Sequence, residues 1–211
     1  MNNPSPERRG AIILCGGQST RMGQPKALLP FGDEVMLQRV VRRVAQAVPI
    51  ENVVVVAAQG QTLPTLPQGV AVARDRAEAR GPLEGLAAGL EALADRVDTA
   101  YLSGCDAPLL CSGWVREMFR RLGDADICVP RDGRYYHPLA AVYRSCVRSV
   151  VEALLAEDRL RPIFLFKQCR TIEVPVDAMR TVDPELSTLE NLNRPEDYQA
   201  ALKRLEADAD S

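Results

Sequence analysis

A chain of 211 residues, 46% of them hydrophobic, is long enough to bury one sizeable α/β core. Its 26 basic and 28 acidic residues leave a net charge of −2, which excludes a general nucleic-acid binder with its basic excess. No run of about 18 apolar residues occurs to span a membrane, and the polar stretch 1–10, lacking the apolar core of a secretion signal, reads as a disordered tail.

Apolar strands then alternate with amphipathic helices. Ala11-Ile12-Ile13-Leu14 is a short apolar run ending at Gly16-Gly17, a buried strand. Met36, Leu37, Val40, Val41, Val44 and Val48 recur at helical spacing, with Arg39, Arg42, Arg43 and Gln46 on the wet face. The β-branched run 53–58 predicts a second strand, and the proline-bearing stretch 59–69 a loop. Residues 70–73 predict a third strand and 82–94 a helix opened by Pro82. A fourth strand covers 99–103, and Ser112 is placed to cap a helix over 113–122. Residues 127–129 and 135–143 predict two strands about the turn signal Arg131-Asp132-Gly133-Arg134, a hairpin at a mixed sheet edge. Ser145 is placed to cap the next helix, 171–174 form a last strand, and Pro195 opens a final helix to about 205. This alternation predicts a Rossmann-like, mostly parallel, doubly wound sheet in a three-layer α/β/α arrangement, with 11–207 as a single domain. The six cysteines, Cys15, Cys105, Cys111, Cys128, Cys146 and Cys169, include no CxxC pair and no metal-ligand spacing with the one histidine. They fit free thiols in a reducing cytoplasm.

In open α/β sheets, ligands bind beyond the carboxyl ends of the strands, so residues that follow strands matter most. After the first strand comes Leu14-Cys15-Gly16-Gly17-Gln18-Ser19-Thr20-Arg21-Met22-Gly23-Gln24-Pro25-Lys26. Its glycines let backbone N–H groups approach phosphate oxygens, Arg21 offers a planar fork, and Lys26 a compact charge. A glycine-rich turn with two solvated cations is the plainer alternative. Asp106, after the fourth strand, is a hard oxygen ligand suited to Mg²⁺ shared with triphosphate oxygens, or else a turn cap. Arg80-Gly81-Pro82-Leu83-Glu84-Gly85 either reads a base edge through its backbone or merely starts a helix. Asp75 either accepts hydrogen bonds from a base or ribose, or pairs with Arg74 or Arg76. His137, a lone histidine, is either a structural or a catalytic residue, and the structural reading is the commoner one. Asn191 and Asn193, spaced by two, either line a polar pocket or form the turn into the last helix.

Together these pieces resemble the molybdenum cofactor guanylyltransferases, the family that attaches GMP to molybdopterin. The resemblance rests on the 14–26 loop, Gly81-Pro82-Leu83-Glu84-Gly85, Cys105-Asp106-Ala107-Pro108, His137-Pro138 and Asn191-Leu192-Asn193-Arg194-Pro195-Glu196-Asp197, in the family's order over nearly the whole chain. It implies the nucleotide-diphospho-sugar transferase type of fold and a cytoplasmic enzyme. The substrates would be GTP and Mo-molybdopterin, and Mg²⁺ the cofactor. Leu14, Cys15 and Gly16, joined by Gly17, Gly81, Pro82 and Leu83, would contact the nucleotide through the backbone. Lys26 would hold phosphates, Asp75 the nucleotide, and Asp106 both nucleotide and metal. Arg21, Lys26 and Asp106 would carry catalysis, and His137, Asn191 and Asn193 are candidates for the molybdopterin pocket. Transient contact with cofactor-synthesis proteins or molybdoenzymes would follow from the product. Cys15 stands where Ala is commoner, a change tolerated if only backbone contacts matter. A cytidylyltransferase making the CMP form of the cofactor, or another small-molecule phosphate nucleotidylyltransferase, is the alternative enzyme. A non-catalytic nucleotide-binding module is the distant one.

Overall fold

A computed structural model of the protein describes residues 7–16, 25–76 and 80–209. Gly17 and Arg21, both singled out from the sequence, lie outside the described residues. The first strand, β1 (Arg9–Leu14), begins two residues before the apolar run, inside the stretch expected to be a tail. Arg8 anchors this entry, its guanidinium 2.9 Å from the Asp98 carboxylate. Ala11, Ile12 and Ile13 are fully buried, as a strand covered on both faces requires.

A ribbon the sequence did not announce follows. β2 (Pro30–Phe31) pairs antiparallel with β3 (Glu34–Val35), and Gly32 turns between them at φ +67. It feeds α1 (Met36–Ala45), whose buried residues Met36, Leu37, Val40, Val41 and Val44 are those the spacing predicted. Next come β4 (Val53–Ala57) and β5 (Ala71–Arg74), then α2 (Gly81–Ala92) and β6 (Thr99–Gly104). The helix α3 (Ser112–Leu122) leads to β7 (Ile127–Asp132), β8 (Tyr135–Tyr136) and β9 (Ala140–Arg144). Then follow α4 (Arg148–Ala156), α5 (Pro162–Gln168), β10 (Thr171–Pro175) and α6 (Pro195–Ala209).

Both predicted serine caps are corrected. Cys111 occupies the cap position of α3, and Ser112 is its first helical residue, its hydroxyl accepting from Arg116. The Ser145 hydroxyl donates instead to the Val97 carbonyl at 2.8 Å, tying α4's approach to the loop before β6. The helix α5 was not anticipated, because Pro162-Ile163-Phe164-Leu165-Phe166 is too short a run to show a period.

The strands lie in the order β5-β4-β1-β6-β9-β7-β10, with β8 beside β7. Neighbours pair in parallel except around β9, which is antiparallel to both β6 and β7, and at β8. The mixed part is therefore interior, not at the edge the hairpin suggested. Helices cover both faces. One core layer gathers Ala11, Ile13, Val55, Tyr101 and Cys128 with α1 and α3. The other gathers Ile12, Val54, Leu102 and Val129 with α2, α4 and α5.

The chain runs outward from β1 through β4 to β5, then returns to β6 on the other side of β1. Ligand crevices open at such a reversal, beyond the carboxyl ends of the two strands. The helix α2 lies close against β1. A methyl group on Gly85 would sit 2.7 Å from Leu14 Cδ2, and one on Gly89 2.4 Å from Ile12 Cγ2. Only glycine permits that approach, and it brings the start of α2 to the crevice.

Candidate nucleotide-transfer site

Lys26 opens a one-turn 3-10 helix (Lys26–Leu28), and Asp106 follows the carboxyl end of β6. The Lys26 ammonium donates to Asp106 Oδ2 at 3.0 Å and to Asn193 Oδ1 at 2.7 Å. The Lys26 and Asp106 side chains are only 15% and 20% exposed, so water screens the pair weakly. Gly104 makes room for this arrangement, since a methyl group there would meet Asp106 Oδ1 at 2.4 Å. Leu192 N–H donates to the Asp106 carbonyl at 2.8 Å, joining the 191–193 segment to the loop after β6. Asn193 also donates to the Asn191 carbonyl at 3.3 Å. Of the two asparagines, Asn193 is thus the one whose carboxamide reaches the Lys26–Asp106 pair.

On the other side of β1, Asp75 follows β5. Its N–H donates to the Ala57 carbonyl at 3.0 Å, and its carbonyl accepts from Gln59 at 2.9 Å. Its carboxylate leans over Gly16, where a methyl group would sit 2.6 Å from Oδ2. Burial, and then the neighbouring Glu84 carboxylate, hold the Asp75 carboxyl above the usual range. Neither arginine suggested as its surface partner is spent on it. Arg74 donates to the Ala58 and Gln61 carbonyls, and Arg76 pairs with Glu84 at 3.3 Å. Glu84 itself is 4% exposed, a buried acid that was not assigned a role from the sequence. The signal was there: Glu84 is the one charged residue in the run from Gly81 to Leu90.

The loop backbone is partly committed to the sheet. Cys15 N–H donates to the Val56 carbonyl, the Leu14 carbonyl accepts from Cys105, and the Cys15 carbonyl accepts from Gln61. A carbonyl oxygen has a second lone pair, so ligand contact there would be a second acceptance. The neighbouring Cys105 thiol and burial hold the Cys15 thiol well above the usual range, which keeps it protonated. Gly81 starts α2 at φ +69, Pro82 follows, and the Leu83 side chain is buried in the core. Leu83 therefore has only its backbone to offer a ligand.

His137 lies between β8 and β9, its N–H donating to the Pro130 carbonyl at 2.9 Å. Its Nε2 is buried with no hydrogen-bond partner among the described residues. Burial lowers its pKa below the ordinary value, which keeps the ring neutral at pH 7.

Among the described residues, no group of three or more His, Cys, Asp or Glu side chains could hold a metal ion. Asp106 supplies one hard carboxylate at the crevice. That suits Mg²⁺, which commonly takes one or two carboxylates and completes its shell with substrate phosphates and water.

Residues 11–171 match the MobA-like NTP transferase domain family. A probable molybdenum cofactor guanylyltransferase from Methanosarcina acetivorans is 32% identical over 206 residues, covering 92% of this chain and 90% of that protein. The crystal structure of molybdopterin-guanine dinucleotide biosynthesis protein A from Archaeoglobus fulgidus superposes with a TM-score of 0.75 at 17% identity, covering 94% of this chain and 99% of that one. The 2-C-methyl-D-erythritol 4-phosphate cytidylyltransferase of Thermus thermophilus shares the fold, with a TM-score of 0.65 at 16% identity and coverage of 92% and 98%. The switch-point crevice with its lysine–aspartate pair, the match over residues 11–171 and the whole-length relative agree: the chain belongs to the MobA-like NTP transferase family, and it is a nucleotidyltransferase.

Proposed function

We propose that this enzyme transfers GMP from GTP to the terminal phosphate of molybdopterin and releases pyrophosphate. The observation that carries the reading is the Lys26–Asp106 pair beyond the carboxyl end of β6, in a chain whose relative is a probable guanylyltransferase. An oxygen of the acceptor phosphate bonds to the α-phosphorus of GTP. The bond from that phosphorus to the bridging oxygen breaks, and its electron pair leaves with pyrophosphate. The attacking oxygen is already ionised, so no side-chain base is needed, and His137 is not given that part. The protein's task is to bring two polyanions together and align them.

In this reading, Lys26 turns from Asp106 to the phosphates once the triphosphate arrives, and Arg21 adds its fork. Asp106 would hold Mg²⁺ together with the triphosphate oxygens, where the ion would neutralise charge building on the leaving group. Gly16 and Asp75, with the backbone at Gly81, Pro82 and Leu83, would recognise guanine, whose N1–H and N2 donors need an acceptor. Asn191, Asn193 and His137 would face molybdopterin. Residues 11–207 would work as one catalytic unit in the cytoplasm. No helix among the described residues is long and apolar enough to cross a membrane.

The test is a side-by-side assay with labelled GTP and CTP, Mg²⁺ and molybdopterin, scored for dinucleotide product. Guanine dinucleotide should form with the higher kcat/KM. A preference for CTP would replace this reading with the cytidylyl one.

A further inference from the structure

Asp183 is an acid only 5% exposed, and among the described residues it has no basic partner. A buried unpaired carboxylate is costly unless hydrogen bonds compensate it. Here Oδ1 accepts from Ser187 N–H at 3.0 Å and Oδ2 from Thr188 N–H at 2.8 Å. These two bonds close a turn containing Leu186, which sits at φ +56, a conformation a leucine rarely adopts. Thr188 passes the constraint on. Its hydroxyl accepts from Cys111 N–H at 3.0 Å, and the Cys111 thiol donates to the Val182 carbonyl at 3.3 Å. Cys111 ends the loop that begins at Asp106.

The segments 106–111 and 188–192 are thus tied together at both ends. Thr188 meets Cys111 at one end, and Leu192 N–H meets the Asp106 carbonyl at the other. Asn193, one residue beyond, delivers its carboxamide oxygen to Lys26. We infer that Asp183 is a positioning residue, which holds the 188–193 arm so that Asn193 stays beside Lys26 of the Lys26–Asp106 pair. The inference rests on the reading that this pair is the centre of transfer. Asp183 acts through the arm and touches no reacting atom.

The experiment is a double-mutant cycle between Asp183→Asn and Asn193→Ala, with kcat and the KM for GTP measured for each variant. Asparagine keeps the size and one acceptor oxygen but turns an NH₂ toward a backbone N–H, so the turn is disturbed without creating a cavity. A misplaced contact of this kind costs about 10- to 100-fold in rate. The expected result is such a loss of kcat for Asp183→Asn, with KM for GTP held within about twofold. The double variant should be no slower than Asn193→Ala alone, because both changes remove the same contact. Losses that multiply, or an unchanged kcat in Asp183→Asn, would overturn the inference while leaving the centre standing. An Asn193→Ala enzyme of normal rate would overturn both. If Asp183→Asn does not fold, Thr188→Val cuts only the link to Cys111 and enters the same cycle. Thr188→Ser, which keeps the hydroxyl, should then retain the rate.

Discussion

The Lys26 ammonium stands 3.0 Å from the Asp106 carboxylate across 80 residues of chain, Asp106 just past the end of β6 and Lys26 at the head of the 3-10 helix that comes after β1. The contact forms because β1 and β6 are neighbours in the sheet at the point where strand order reverses. Each charge stabilises the other in a place only partly open to water.

Asp106→Asn should abolish most turnover and leave the fold intact. The substitution keeps the shape and removes the charge that would hold a divalent cation, a loss of roughly 10³-fold or more. Rate measurements beside a thermal melt decide it. A folded variant with near-normal rate would remove Asp106 from the chemistry.

Lys26→Ala should weaken GTP far more than guanosine. A charge-assisted hydrogen bond is worth about 1.5–3 kcal/mol, and the nucleoside offers no phosphate to receive it. Calorimetric titration of the two ligands checks this. Equal weakening would mean that Lys26 serves the fold or the base instead.

GTP affinity should fall on the acid side at a higher pH than an ordinary aspartate would cause. Burial and Glu84 raise the Asp75 pKa, so its carboxylate is protonated earlier as pH falls, and a protonated acid cannot accept from both guanine donors. The stability consequence has the opposite sense. A raised folded-state pKa favours the folded protein at low pH, and that contribution is lost as pH rises through it. Asp75→Asn should therefore flatten the acid limb of binding while slightly raising the melting temperature at neutral pH. A pH series of binding and melting curves for both proteins tests the pair of outcomes.

Gly16→Ala should reduce GTP use with little change in stability. The new methyl would lie 2.6 Å from Asp75 Oδ2, so the carboxylate must rotate away from its present position. If Asp75 accepts from guanine, KM for GTP rises and discrimination against CTP narrows. Unchanged kinetics would show that the base is read elsewhere.

Gly89→Ala tests the packing behind the site. Its methyl would fall 2.4 Å from Ile12 Cγ2, both groups lying between α2 and β1 in the core. Overpacking of this kind costs about 1–3 kcal/mol. A lowered denaturation midpoint is expected, and an unchanged one would mean that α2 can shift outward freely.

Local pattern alone determined much of this protein. Met36, Leu37, Val40, Val41 and Val44 declared a helix face, and the valine run from Val53 declared a buried strand, because burial with a period is written in consecutive residues. Lys26, Asp75 and Asp106 were legible as candidate site residues because Asp75 and Asp106 follow strands and Lys26 closes the glycine-rich loop after the first, and sheets of this type bind ligands there. The resemblance carried the choice of reaction. Tertiary structure alone decided that β9 lies inside the sheet, between β6 and β7, since strand order depends on pairings among segments far apart in the chain. It also decided which polar groups meet. The Ser145 hydroxyl went to Val97 rather than to its own helix, and Arg76 went to Glu84 rather than to Asp75. Asn193 came to Lys26 across 167 residues, a contact no local spacing encodes. Hydrogen bonds reach only about 3 Å, so a side chain's partner is settled by where the folded backbone puts it.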